Sequence, residues 1–232
     1  MSSPLKWAWS VLAILCTLLI LGTTALHIAS RTVRARIDLK PGAQVSIPVF
    51  RFVPDSPRLS MEFDVPAQAS PSTGFARRRP ELGEWRPSQR EGTLYFANPG
   101  EAVKLRVADR TRPQVYEALP AGGWSRDRIH RSLTPFLDDG DPTRFRWPPR
   151  LPSRSIPAGR STLDITVLEV GDAIQGERVT VVVEPPLTFK RGTGGPIDWL
   201  WYFYFWPFYA VILGIAGGVL AYITRKELRR TR

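Results

Sequence analysis

The chain has 232 residues, with 32 Lys and Arg against 21 Asp and Glu, a formal net charge of +11, and one cysteine. This length suits one medium domain plus membrane segments. A single thiol excludes an intramolecular disulfide and any zinc or iron–sulfur site built on thiolates, and a basic net charge bears on association without defining a site.

Residues 1–6 read as a short cytoplasmic N-terminus ending at Lys6. The stretch WAWSVLAILCTLLILGTTALHIA, residues 7–29, holds no formal charge. As a helix it reaches about 34 Å, enough to cross a hydrocarbon core of about 30 Å. A cleaved signal peptide is the rival, since Thr23-Thr24-Ala25 resembles a weak cleavage site. The apolar run exceeds the usual length of such peptides, and Trp7 and Trp9 suit interface anchoring, so a retained anchor is preferred. Cys16 follows the bulky Leu15, which disfavours lipid attachment, and reads as apolar filler.

Residues 30–190 carry alternating apolar and polar positions. In RARIDL, Ala35, Ile37 and Leu39 oppose Arg34, Arg36 and Asp38. In RLSMEFDV, Leu59, Met61, Phe63 and Val65 oppose Ser60, Glu62 and Asp64. In EAVKLRVAD, Val103, Leu105 and Val107 oppose Lys104 and Arg106. A period of two with polar outward positions predicts a sheet with one buried and one wet face. Residues 44–52, 92–97, 161–170 and 177–184 are further strands, separated by Pro- and Gly-bearing turns. Seven or eight short strands without helical periodicity predict an antiparallel β-sandwich, immunoglobulin-like or jelly-roll, between an N-terminal and a C-terminal transmembrane helix. The chain is thus expected to be a membrane-anchored all-β protein.

Two stretches break the alternation and read as irregular insertions, 66–92 and 110–160. Both are rich in Pro, Arg and Ser. The second holds too many large apolar groups for a disordered linker, and is expected to pack on the sandwich with a short helix near 126–137. Arg77, Arg78 and Arg79, with Trp85 close by, and Arg144, Arg146, Trp147 and Arg150 interleave cations with aromatics. This is a candidate anionic-ligand surface, because guanidinium pairs bidentately with phosphate and stacks on rings. Anionic lipid or acidic polysaccharide suits an extracytoplasmic domain; nucleic acid does not.

Catalytic signals are few. The histidines are His27 and His130. His130 could act as a general base with Asp127 or Asp138, but no nucleophile elbow, phosphate-cradling glycine loop or paired-histidine metal spacing accompanies it. The acidic run at 137–142 lacks the alternation of a calcium loop and reads as a turn that pairs with neighbouring arginines. No catalytic residue, cofactor or metal is assigned, and an envelope hydrolase is the least favoured reading.

Residues 191–198 form a short linker to a second span, 199–224. Nine aromatic rings fall between Trp199 and Tyr209. Trp199, Trp201, Tyr202, Tyr204, Trp206 and Tyr209 are expected at the membrane interface, where an apolar body with a polar edge is favoured. Pro207 is expected to kink the helix. Ala210, Gly214 and Gly218 share one face in a small-xxx-small pattern that admits a second backbone. Its partner could be Ala13 and Thr17 of the first span, a second copy, or another membrane or envelope protein.

The basic tail, residues 225–232, holds Arg225, Lys226, Arg229, Arg230 and Arg232, and marks the C-terminus as cytoplasmic. Arg31, Arg34 and Arg36 after the first span point the other way. Domains far longer than about 60 residues are exported largely regardless of charge, so the tail decides. The expectation is a bacterial inner-membrane protein with both termini cytoplasmic and a periplasmic central domain. That domain would serve as a non-catalytic interaction or scaffolding module in a cell-envelope assembly, with recognition of anionic lipid or acidic polysaccharide as the alternative.

Overall fold

A computed structural model describes residues 3–65, 79–90, 93–109, 113–125, 127–136, 144–146, 155–189 and 196–230. The chain divides into two compact units: Thr32–Pro185, and the two flanks Met1–Arg31 and Pro186–Arg232 taken together.

The central unit is a barrel, which corrects the expected sandwich. Eight strands join one antiparallel sheet: β1 (Val33–Asp38), β2 (Gln44–Arg51), β3 (Leu59–Asp64), β6 (Val103–Ala108), β7 (Pro113–Trp124), β8 (Arg128–Pro135), β10 (Gly159–Val170) and β11 (Arg178–Val183). Their order is β1-β11-β3-β8-β7-β6-β10-β2. The two edge strands, β1 and β2, then come alongside each other without a hydrogen-bonded ladder, so the sheet nearly closes on itself. Pro48 lies on β2, where a residue without an N–H is tolerated because one side of an edge strand needs no donor.

Inward residues of all eight strands form one apolar cluster, among them Ile37, Ile47, Phe63, Leu105, Tyr116, Ile129, Ile165 and Val181. An eight-stranded barrel is just wide enough for side chains to fill, and each such residue contributes about 1.5–3 kcal/mol when fully buried. A sandwich and a barrel make the same demand on a single strand. Alternation therefore revealed the strands and left open how the sheet curls.

The segment 110–160 is not simply an insertion. It supplies β7 and β8, two central strands, and β8 replaces the helix expected near 126–137. Two features hid them. On β8, the inward positions are Ile129, Arg131 and Leu133, so a charge interrupts the apolar period. β7 changes register between Ala118 and Ala121 and again before Gly123. Such bulges defeat a strict period of two. A smaller sheet of β4 (Pro87–Arg90), β5 (Thr93–Phe96) and β9 (Arg144–Arg146) lays Leu94 and Phe96 against Leu119 of β7. Residues 66–78 of the first proposed insertion lie outside the described residues.

One end of the barrel is closed by turns. A 3-10 turn, Pro80–Leu82, drives Leu82 fully into the core cluster, and a second, Asp172–Ile174, adds Ile174. Gly83 and Gly100 meet there with φ of 76° each. A Cβ on Gly83 would lie 2.6 Å from the Pro99 carbonyl oxygen, and one on Gly100 would lie 2.5 Å from the Gly83 nitrogen. Only glycine fits this contact. Around it, Glu84 N–H donates to Asn98 O at 3.0 Å, and Asn98 Nδ2 donates to Pro80 O at 2.8 Å.

The flanking unit holds two helices long and apolar enough to span a membrane. Helix α1 runs Ser3–Ala29 and α2 runs Trp206–Arg230. A 3-10 stretch, Asp198–Phe205, precedes α2 and carries most of the aromatic block. The one helix expected from residue 199, with a kink at Pro207, is therefore two helix types. Pro207 has no N–H and its ring opposes the carbonyl four residues back, which disfavours α-helical bonding ahead of it and suits the first turn of an α-helix.

The less exposed positions of α1 include Leu5, Trp9, Leu12, Cys16, Leu19, Thr23 and Leu26, at the alternating spacing of four and three that lets helices pack lengthwise. Its partner is α2. Gly217 lies against Leu12, the Phe203 ring covers Gly22, and Trp9 Nε1 donates to Thr224 Oγ1 at 3.1 Å.

Candidate functional site

The expected anionic-ligand surface is largely outside the described residues. Arg77, Arg78, Trp147 and Arg150 lie there, and Arg144 and Arg146 are described only as backbone of β9. Arg79 is described, and it is not open to a ligand. Its Nη1 and Nη2 bind Glu177 at 3.1 and 2.7 Å, its Nε pairs with Glu81, and its Nη1 also reaches Asp64 O at 3.3 Å. Burial works to lower its basicity, yet the bonds to Glu177 and Glu81 outweigh burial and leave it raised. Arg79 thus fastens the 3-10 turn bearing Leu82 to the residue just before β11.

Neighbouring charges on the outer wall are also committed. Glu62 receives Arg34 at 3.4 Å and Arg128 at 2.5 Å, and Arg128 stands 3.8 Å from Asp127. Arg178 donates to Asp38 at 2.9 Å, a bond that leads in holding this carboxyl below its usual range. His130 pairs in register with Glu62 of β3 and Gly123 of β7. Asp138 and the acidic turn at 137–142 lie outside the described residues. Among the described residues, no three His, Cys, Asp or Glu gather as a metal site would require.

Two arginines that the sequence did not flag occupy the barrel interior. Arg131 is fully buried and bonds to backbone carbonyls: Nε to Leu119 at 2.8 Å, Nη1 to Glu101 at 2.8 Å, and Nη2 to Ala118 at 3.0 Å and Pro99 at 3.4 Å. These carbonyls lie on both sides of the fork where β6 and β7 part company, because their ladder ends at Lys104↔Glu117. The guanidinium replaces the missing ladder with its own donors. Burial lowers its pKa to about 10, opposed by the charge of Glu101. It therefore remains protonated at neutral pH.

Arg51, 2% exposed, points inward near the other end of the barrel, 3.2 Å from Asp55, with Nη2 donating to Glu184 O at 3.0 Å. Burial dominates for both partners, lowering Arg51 and raising Asp55 despite Arg51 and Arg58 beside it. Both arginines act as internal fasteners. Only an inward parity within an alternating strand could have marked them, and a charge at that parity reads instead as evidence against the strand.

In the flanking unit, Trp199, Tyr202, Trp206 and Tyr209 are exposed. Trp201 stacks on Phe189 and donates its Nε1 to Phe189 O at 3.0 Å, while Tyr204 meets Phe189 edge-on. The rings are thus divided between an outward set and a packed set. Ala210 is half-buried. Gly214 and Gly218 are exposed, and a Cβ at either would meet nothing within 4 Å. The helix-packing face expected there does not meet α1, and neither Ala13 nor Thr17 serves as its counterpart, both being exposed. Gly217 and Gly22 make the intrachain contacts instead.

No protein-family model matches the sequence, and no curated protein matches it. Among solved structures, the crystal structure of a protein from Sulfurospirillum deleyianum is similar with a TM-score of 0.43 at 13% identity, over 67% of this chain and 97% of that one.

Proposed function

We propose that this chain is a two-span bacterial inner-membrane protein that presents its barrel in the periplasm as a non-catalytic interaction or scaffolding module of a cell-envelope assembly. One observation carries the reading. Among the described residues, the barrel interior gathers apolar side chains and two fastened arginines, which favours the outer wall and the helices as the surfaces for recognition. The pairs made by Arg79, Glu62 and Arg128 support it further, because charges held by one another are poor candidates for proton transfer.

The cytoplasmic assignment of both termini rests on the cations that end α2, and on the ease with which a long domain is exported. Alkaline phosphatase fused within the β10–β11 turn should be active, and fused after residue 232 inactive. The reverse pattern would overturn the topology.

The outward face of Gly214 and Gly218 is the proposed contact for a second copy or another membrane protein. Replacing both with Leu should leave the α1–α2 pairing intact, since neither touches α1, while abolishing copurification of the partner after mild detergent extraction. Unchanged copurification would remove that contact from the scheme.

A further inference from the structure

The outward positions of the barrel strands carry mostly charged or hydroxyl side chains, such as Arg34 and Arg36 on β1, Lys104 and Arg106 on β6, and Thr162 and Asp164 on β10. β2 departs from this rule. Ile47, Val49 and Arg51 point inward, and the exposed positions between and beyond them are Pro48, Phe50, Phe52 and Pro54. Among the described residues of the barrel, the large apolar side chains exposed by more than a third are Phe50, Phe52 and Trp85. Two of these three adjoin, with ring centroids 5.1 Å apart and planes at 87°.

The connectivity says which end of the barrel this is. Strands alternate in direction, so the start of β1, the end of β2, the start of β3 and the end of β11 lie together, as the pairs Val33↔Val183, Val183↔Leu59 and Gly159↔Arg51 require. Helix α1 ends at Ala29 and β1 begins at Val33. Four residues span at most about 14 Å. The end of the barrel carrying Phe50 and Phe52 is therefore the one covalently held to the end of α1. Exposed Arg160 stands opposite Phe50 in register, and exposed Arg58 precedes β3 at the same end. Apolar rings flanked by guanidinium groups match the layered chemistry of a lipid surface, with acyl chains below and phosphates above.

We propose that Pro48, Phe50, Phe52 and Pro54 seat the barrel on the headgroup boundary of the bilayer that α1 crosses, with Arg58 and Arg160 meeting lipid phosphates. This rests on the spanning reading of the helices and holds on whichever side the barrel lies. The test uses the full chain with Cys16→Ser and Phe52→Cys, labelled with nitrobenzoxadiazole and reconstituted into vesicles containing phosphatidylglycerol and spin-labelled lipid. A matched protein labelled through Gln175→Cys, exposed at the opposite end, is the control.

The expected result is blue-shifted emission and loss of fluorescence to spin-labelled lipid at position 52, with neither at 175. If position 52 is as open to aqueous iodide as 175 while the protein stays in the membrane pellet after carbonate washing, the lipid contact is overturned and the spanning reading survives. Shielding from iodide without quenching by spin-labelled lipid overturns it in favour of a protein occupant. Release of the protein by carbonate overturns the spanning reading itself, and the seat with it.

Discussion

Arg131 shows how a buried charge can be structural when backbone carbonyls receive its donors. Its guanidinium supplies donors to the carbonyls of Pro99, Glu101, Ala118 and Leu119 at the fork where β6 and β7 part. Orphaning even one buried carbonyl costs about 1–3 kcal/mol. Arg131→Met should therefore lower stability by about 2–4 kcal/mol, allowing for relief of the buried charge, as read from thermal unfolding of the detergent-purified protein. Arg131→Lys should recover little, since an ammonium cannot reach both sides of the fork. The same residue explains why β8 was illegible: a charge between Ile129 and Leu133 breaks the apolar period at the position where the fold needs donors. Asp55 gives a pH signature. Its carboxyl is raised by burial, so the folded chain keeps this proton where the unfolded chain has lost it. Its contribution is greatest in acid and is lost as pH rises from about 3.8 through the raised value. The stability of wild type relative to Asp55→Asn should accordingly decline from acid toward neutral pH; a difference that grows over that range would contradict the burial argument.

Strands β1, β3, β6, β10 and β11 were legible because their outward positions are mostly polar and their inward ones apolar. β7 was not, since its register shifts twice and Pro120, Gly122 and Gly123 lie within it. The cap that closes the barrel was also invisible, because it depends on a meeting of Gly83 with Gly100 that no local pattern announces. Gly100→Ala forces a Cβ onto the Gly83 backbone and strains a φ of 76°. We expect a loss of about 1–3 kcal/mol, with amides of residues 80–102 exchanging hydrogen faster than those of β10 and β11. Uniform exchange would show that the cap and barrel unfold together. The aromatic block before α2 was legible as chemistry and misjudged as geometry, because Pro207 sets where α-helical bonding can begin.

The distinction between two packed sheets and one curled sheet belongs to the molecule as a whole. Eight strands with wet outer faces satisfy both, and only the approach of β1 to β2 decides. The two apolar helices were the most legible feature, since their length and composition need no tertiary context. The protein should remain in the pellet after carbonate washing without detergent, and recovery in the supernatant would contradict their role as spans. The unladdered seam has a mechanical consequence. Among the described residues β1 has its backbone ladder with β11, and the chain enters the barrel at Val33 and leaves it just after Val183, which are partners in that ladder. Tension that draws the two helices apart would open the ladder one rung at a time from Val33 and Val183 inward, toward Asp38 and Arg178. Tension applied to both helices together would leave those rungs unloaded. The Trp9–Thr224 bond and the closely packed Gly22 and Gly217 hold the two helices together, and so act as the clasp that keeps such a load off the ladder.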